Sequence, residues 1–386
     1  MSTTPSLSKP DGPTPGKPVA AGSSPVSGPS PGVPSDEELS GNLFSNLFKR
    51  QTTWIFLVLV VLVVFFGIQS GGRFSTASNF LLISQNVAVL AVIAVGMTFV
   101  IITSGIDLSV GSVLVFASVV SAKVMSSMAD SNGPGLVILV GVLVAVFTGA
   151  AWGLINGFLV AKAKVPPLIV TLGTLSASLG LAQVISKGVD IPIGKVQALT
   201  DFGIYQRILG VPALVVVALV ILVIGGVVLH KTKFGRYTYA IGSNEEASRR
   251  VGIKVDRHLI LIYLYTGALA GVGAVMFLAQ FTTTSIAGGT QTNLNVITAV
   301  VIGGTSIFGG LGTMFGTVVG LFIPAVLQSG LVIIGVQSFW QLVAVGAVLV
   351  AAVYVDQTRR KAALRGSRTS TPFGKRAGRK VIATDK

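Results

Sequence analysis

Apolar residues in this chain come in long unbroken runs, with neither the three-and-four spacing of a half-buried helix nor the alternation of a strand. A helix crossing the hydrocarbon core of a bilayer needs about twenty residues at about 1.5 Å each. By that measure ten stretches qualify as spans: 53–68, 80–104, 110–128, 135–161, 167–186, 211–230, 259–281, 294–308, 313–331 and 339–354. The eighth is short and glycine-rich. It reads either as a full span or as a re-entrant or broken helix, which lipid tolerates only where protein or a water-filled cavity covers the backbone. The expected fold class is all-α: a polytopic transmembrane helical bundle of about ten spans. The 47 glycines fit such a bundle, where small residues let helices approach closely.

Charge sharpens this picture. Only 11% of the 386 residues are charged, against roughly a quarter in soluble domains. From His258 to Val355 there are 98 residues without one Asp, Glu, Lys or Arg. The net charge of +15 raises the possibility of nucleic acid, but the basic residues flank apolar runs as cytoplasmic loops do. No nucleic-acid partner is expected; the lipid bilayer is. With the N-terminus in the cytoplasm, only Arg73, Lys123, Lys187, Lys195 and Arg207 of the 28 Lys and Arg residues lie outside, leaving 23 inside. That asymmetry predicts N-in, C-in topology.

Three domains follow. Residues 1–48 hold nine of the sixteen prolines among Ser and Gly within their first 41 positions. This segment lacks the apolar surface to offset its ordering entropy and reads as a disordered cytoplasmic tail, not a signal peptide. Residues 49–356 form the transmembrane domain, with a cytoplasmic loop at 231–257. Residues 357–386 are a basic cytoplasmic tail. Cysteine is absent and only His230 and His258 supply imidazoles, in no paired spacing, so neither a metal site nor a cofactor is expected. No GxxxxGK[ST] phosphate loop occurs: Gly188 to Lys195 has the wrong spacing and Val196 follows the lysine. The chain is therefore expected to hydrolyse no ATP and to be no enzyme. It also lacks the chain of intramembrane acids or histidines that a proton-coupled pump uses.

Four sets of residues stand out. In GMTFVIITSGIDLSVGS, from Gly96 to Ser112, Asp107 is the only acid between Glu38 and Asp130. A carboxylate at the bilayer centre costs about 2.5–3.5 kcal/mol on insertion scales, so Asp107 needs an interface, a cavity or donors. Asp107 to Ser109 suits a helix N-terminus, where either residue accepts from orphan amides. Gly105, Asp107, Ser109 and Gly111 are thus either a capped turn or a gating element. In the 231–257 loop, Ser243 to Glu246 matches a capping box with Ser243 as N-cap. Glu245 and Glu246 in the first turn, Arg249 and Arg250 in the last, and Gly252 as the stop predict a helix of about two turns. That helix, with Gly242, Asn244 and Ala247, either rests on its own protein or docks a cytoplasmic partner. Third, Gln85, Asn86, Thr171, Thr174, Gln280 and Asn295 are polar residues within spans. Such side chains either glue helices together or line a pathway for neutral, hydroxyl-rich cargo. Last, VIITSGIDLSVGS (100–112) is echoed by VIGGTSIFGGLGT (301–313), which points to inverted repeats of spans two to five and seven to ten.

Four segments in order, GMTFVIITSGIDLSVGS, GLINGFLVAKAKVPPLIVTLGTL, GRYTYAIGSNEEASRRVGI and AVVIGGTSIFGGLGTMFGTVVG, resemble the ribose/xylose/arabinose/galactose family of ATP-binding-cassette importer permeases over roughly residues 50–360. Branched-chain amino-acid permeases are similar in architecture, but SGIDLSVGS looks like the sugar branch. The resemblance implies a homodimer in the bacterial inner membrane, served by a cytoplasmic ATP-binding-cassette subunit and an extracytoplasmic sugar-binding protein. It also implies that Gly242 to Gly252 is a coupling helix seated in a groove of the ATPase. Expected cargo is a pentose or hexose such as ribose or xylose. The alternatives are nucleosides, polyols or autoinducer-like compounds on the same machinery, or an ion-coupled secondary sugar transporter. The long tail before the first span and the basic extension after Asp356 depart from the family.

Overall fold

The computed structural model describes residues 51–337 and scattered positions from 339 to 358. Both tails fall almost wholly outside these residues, and the expected tenth span lies there in part. The described chain is predominantly helical. Its long helices are α1 (Gln51–Gln69), α2 (Ala77–Ile102), α3 (Val110–Met128), α4 (Pro134–Ala161) and α5 (Pro167–Ser186). A short helix α6 (Gln197–Ile204) follows, then a hairpin of β1 (Arg207–Ile208) and β2 (Val211–Pro212), paired Arg207 to Pro212 and Ile208 to Val211. After α7 (Ala213–Lys231) come two short helices, α8 (Lys233–Ser243) and α9 (Glu245–Arg250), then α10 (Val255–Phe281), α11 (Gly289–Ile302) and α12 (Met314–Ile333). Seven of these, α2 to α5, α7, α10 and α12, are long and apolar enough to cross a membrane.

The central helices are α2, α3 and α10, which are mostly buried, while α4, α5 and α7 turn most of their apolar surface outward. Outward-facing Leu, Val and Phe on α1, α4 and α7 are costly in water and favourable against lipid tails. The most extensive helix pair is α4 with α10. There Gly149, Gly153 and Gly157, four residues apart on one face, meet in turn Gly267 with Gly271, the backbone of Tyr263, and the backbone of Ile260. A Cβ on Gly149 would collide with the Gly267 carbonyl, and one on Gly267 with the Gly149 carbonyl. Two backbones approach this closely only where small residues face each other.

The segment between α5 and α7 is more structured than hydropathy indicates. Asp190 accepts from the Ile286 amide at 2.9 Å and the Thr284 hydroxyl at 3.3 Å, and Ile193 N donates to Thr282 O at 2.9 Å. The segment after α5 is thereby tied to the one that follows α10. The eighth span, expected at 294–308 either as a full span or as a broken helix, begins and ends earlier in the chain. Helix α11 has 14 residues, about 21 Å at the α-helical rise, and gives way to a bend over 303–313.

Candidate functional site

At one end of the bundle three bends converge: the α2–α3 bend, the α11–α12 bend and the α8–α9 junction. The first two are built alike. At the end of α2, Thr103 N donates to Phe99 O, Ser104 N to Ile101 O and Gly105 N to Val100 O. At the end of α11, Gly303 N donates to Ala299 O, Gly304 N to Val301 O and Thr305 N to Val300 O. Both ends place a left-handed residue at the same step, Ser104 (φ 62°) and Gly304 (φ 89°). The echo read from sequence thus marks similar helix ends, one residue out of that alignment. Both lie at one end of the bundle, so it does not relate the inverted repeats that were expected from it. The bends also touch. Gly310 N donates to Ile102 O at 2.8 Å, and the Ser104 hydroxyl donates to Phe308 O at 2.8 Å.

Into this junction comes Gly242. A Cβ there would collide with the Ile102 carbonyl and stand 2.7 Å from Gly310 N, so only glycine fits. The Tyr239 hydroxyl donates to Gly312 O at 2.7 Å, and burial pushes that phenol up to about 12. Helix α9 then leaves the bundle. Its N-cap is Asn244, whose Oδ1 accepts from Ala247 N at 2.9 Å. The expected Ser243 cap is corrected: Ser243 is the last residue of α8, and the extended backbone at Asn244 (φ −162°) separates two helices where one was read. With Asn244 as cap, the Ser-x-x-Glu box does not form. Glu246 instead pairs with Arg250 at 2.5 Å and Glu245 with Arg249 at 2.8 Å.

Arg249 also reaches Asp256, which in turn holds Lys164 at 3.0 Å and Lys162 at 3.6 Å. Its hydrogen bonds to Asp256 and Glu245 push the guanidinium pKa further up. Exposed pairs of this kind contribute about 0–1 kcal/mol each, so they orient α9 more than they stabilise it. Gly252 (φ 87°) closes the helix, donating to Arg249 O at 3.1 Å. Of the six residues of α9 only Ser248 is buried; Glu245, Glu246, Ala247, Arg249 and Arg250 face outward.

Behind the first bend lies a buried polar network. Asp107, 3% exposed, accepts from Ser109 N at 2.9 Å and from the Ser109 hydroxyl at 2.6 Å. Burial raises its carboxyl above the usual range, and these donors pull it partly back. Ser109 precedes α3, but its hydroxyl caps nothing and instead accepts from Asn156 Nδ2 at 2.8 Å. The Ser112 hydroxyl donates to Ser109 O and accepts from Ser178, at 2.7 and 2.8 Å. Gly111 N donates to Asn293 Oδ1, and Gly105 abuts the Tyr263 hydroxyl. Asn156, Ser178 and Tyr263 were not singled out from sequence. The available signal for Asn156 was an amide within an otherwise apolar run.

The six span residues divide. Asn86 and Asn295 line a cavity of about 620 Å3 bounded by α2, α11 and α12, together with Gln291, Thr298, Gln328 and Gln341. Gln280 joins them by donating to Asn86 Oδ1 at 3.1 Å. Among the described residues no charged side chain lines this cavity. Gln85 turns away to donate to Gly203 O at 3.0 Å, Thr171 donates to Ile106 O at 3.1 Å, and Thr174 bonds to its own helix at Val170 O. Among the described residues no three His, Asp or Glu side chains come together as a metal site would require.

A family model described as branched-chain amino acid transport system / permease component matches residues 79–353. The chain is 40% identical over 306 residues to the ribose import permease protein of Bacillus subtilis, covering 79% of this chain and 92% of that one. It is 35% identical over 315 residues to the fructose import permease protein of Rhizobium meliloti, covering 80% and 85%. It is 33% identical over 302 residues to the D-allose transport system permease protein of Escherichia coli K12, covering 78% and 90%. No solved structure matches the chain.

Proposed function

Because the chain belongs to the family of branched-chain amino acid transport system permease components, we propose that it is the membrane-spanning subunit of an ATP-binding-cassette importer for a monosaccharide. In this reading it lies in the bacterial inner membrane as a homodimer of about ten spans per chain, N-in and C-in. The flanking segments 1–48 and 357–386 are cytoplasmic tails of the 49–356 membrane domain. A partner chain hydrolyses ATP, and an extracytoplasmic binding protein delivers the sugar. This chain is no enzyme and carries no cofactor.

One observation carries the reading. The outward-facing helix α9 is joined through Gly242 to the two bends that terminate α2 and α11. A push on α9 from outside the bundle is therefore delivered, through backbone contact, to the ends of two helices that wall the 620 Å3 cavity. Closely packed structure transmits such displacement because it has few voids to absorb it. The amides and the hydroxyl set among apolar side chains in its lining, with no charge, suit a neutral polyhydroxyl cargo, which wants hydrogen bonds and no fixed charge. The same lining accommodates polyols and nucleosides, so the named sugars of the relatives supply the preference for a monosaccharide. Ion coupling is the rival mechanism, and internal ATP decides between them.

Deletion of Glu245–Arg250 is expected to abolish ATP-driven uptake in vesicles carrying the assembled importer, with the chain still inserted in the membrane. Undiminished uptake by the deletion would remove the coupling role. Uptake that follows an ion gradient and ignores internal ATP would transfer the chain to the ion-coupled class.

A further inference from the structure

A second cavity, of about 280 Å3, lies at the end of the bundle that carries α9. Four parts of the chain enclose it: Thr103 to Gly105 of the first bend, the α4–α5 connection through Lys164 to Pro167, Glu245 of α9, and Leu259 with Tyr263 of α10. We propose that this cavity binds a small neutral polyhydroxyl compound from the cytoplasmic side, and that its occupancy holds α9 against the first bend and slows import. The cytoplasmic placement and the meaning of slowed import rest on the function proposed above; the site itself does not.

Its chemistry points to that class of ligand. The Tyr263 hydroxyl is buried, its residue 1% exposed, and has no hydrogen-bond partner among the described residues. An unpaired buried hydroxyl is costly, and a ligand hydroxyl relieves it by accepting its proton. Thr103 and Ser104 spend their protons on Val100 O and Phe308 O, each at 2.8 Å, leaving oxygen lone pairs as acceptors. The charged groups at the cavity are already engaged, Lys164 with Asp256 and Glu245 with Arg249. An anionic ligand would have to compete for Lys164, whereas a compound that both donates and accepts hydrogen bonds need not. The volume sits near the lower end of small-molecule pockets, about 300–1,000 Å3. That fits a single sugar ring and excludes a nucleotide.

The consequence for transport follows from the walls. An occupant touches the first bend and Glu245 together, and moving α9 outward would open the cavity and forfeit those contacts. A ligand shifts an equilibrium by its differential affinity for the two states. This one favours the state with α9 docked.

The test is binding of radiolabelled D-ribose, D-fructose and D-allose to the full-length chain in lipid nanodiscs, with no ATPase and no binding protein present. Saturable binding of at least one sugar is expected, weakened about threefold to tenfold in Tyr263→Phe by loss of one hydrogen bond. Absence of binding overturns the proposal. So does binding that survives Tyr263→Phe unchanged and disappears in Asn295→Ala, which assigns the sugar to the other cavity. In vesicles with the assembled importer, the bound sugar at about three times its dissociation constant on the ATP side leaves about a quarter of the complexes free. Initial uptake is then expected to fall about fourfold, with Tyr263→Phe relieving the inhibition. Uptake indifferent to that sugar overturns the regulatory role. Because nanodisc binding needs neither ATP nor a partner, its failure is distinct from failure of ATP-driven uptake, which alone bears on the importer reading.

Discussion

Asp107 was conspicuous in sequence as a lone acid in an apolar stretch, and the structure gives the reason it is tolerated. Its carboxylate takes the amide and hydroxyl of Ser109, two donors that would otherwise be buried near the start of α3. Asp107→Ala is expected to cost about 1–3 kcal/mol, the usual consequence of stranding a buried donor. Asp107→Asn retains an acceptor for Ser109 and is expected to cost less. Chemical denaturation of the purified chain in detergent measures both, and equal losses would mean that the charge, not the acceptor, matters. What the sequence did not disclose are the partners. Asn156 and Ser178 stand 47 and 66 residues from the groups they bind, and no local pattern encodes such separations. Ser243 shows a different limit. The Ser-x-x-Glu spacing was present, but it competed with an Asn one residue on, and the end of α8 decided which of them was free to cap.

Among the elements, α4 and α10 are joined by glycine faces that leave no room for a side chain. Gly267→Leu is expected to push the two helices apart and to lower the thermal stability of the purified chain, overpacking costing about 1–3 kcal/mol. An unchanged melting temperature would show that the pair is not close-packed. The periodicity of Gly149, Gly153 and Gly157 was visible in the sequence. Its partner face on α10 was not, because a stripe of small residues specifies close approach without naming what approaches. Helix α9 makes the complementary point. Its existence, its acidic first turn and its basic last turn were readable, yet six residues are too few to hold a helix alone. It is held by the Asn244 cap and by Ser248 packing inward, with Arg249 reaching Asp256 on α10 to orient it.

For the whole molecule, orientation is the property most open to direct measurement, since the chain has no native cysteine. Leu209 at the hairpin tip is fully exposed and Lys254 is exposed before α10. In an otherwise cysteine-free chain, an impermeant maleimide is expected to label Leu209→Cys in intact cells and Lys254→Cys only after the membrane is opened. The reverse pattern would invert the proposed topology and with it the assignment of α9 to the ATPase side. The sequence did not establish the count of ten, but the rough limits of the seven span-length helices among the described residues, and the basic bias of one set of loops, were already legible in it. Lipid enforces those features residue by residue, through the cost of charge and of unpaired backbone in hydrocarbon. The meeting of Gly242 with Ile102 and Gly310, the enclosure of Tyr263, and the separation of Asn86 from Gln85 were decided only in three dimensions. They depend on which helix faces press together, and in a chain so uniformly apolar that choice is made by fit between distant surfaces.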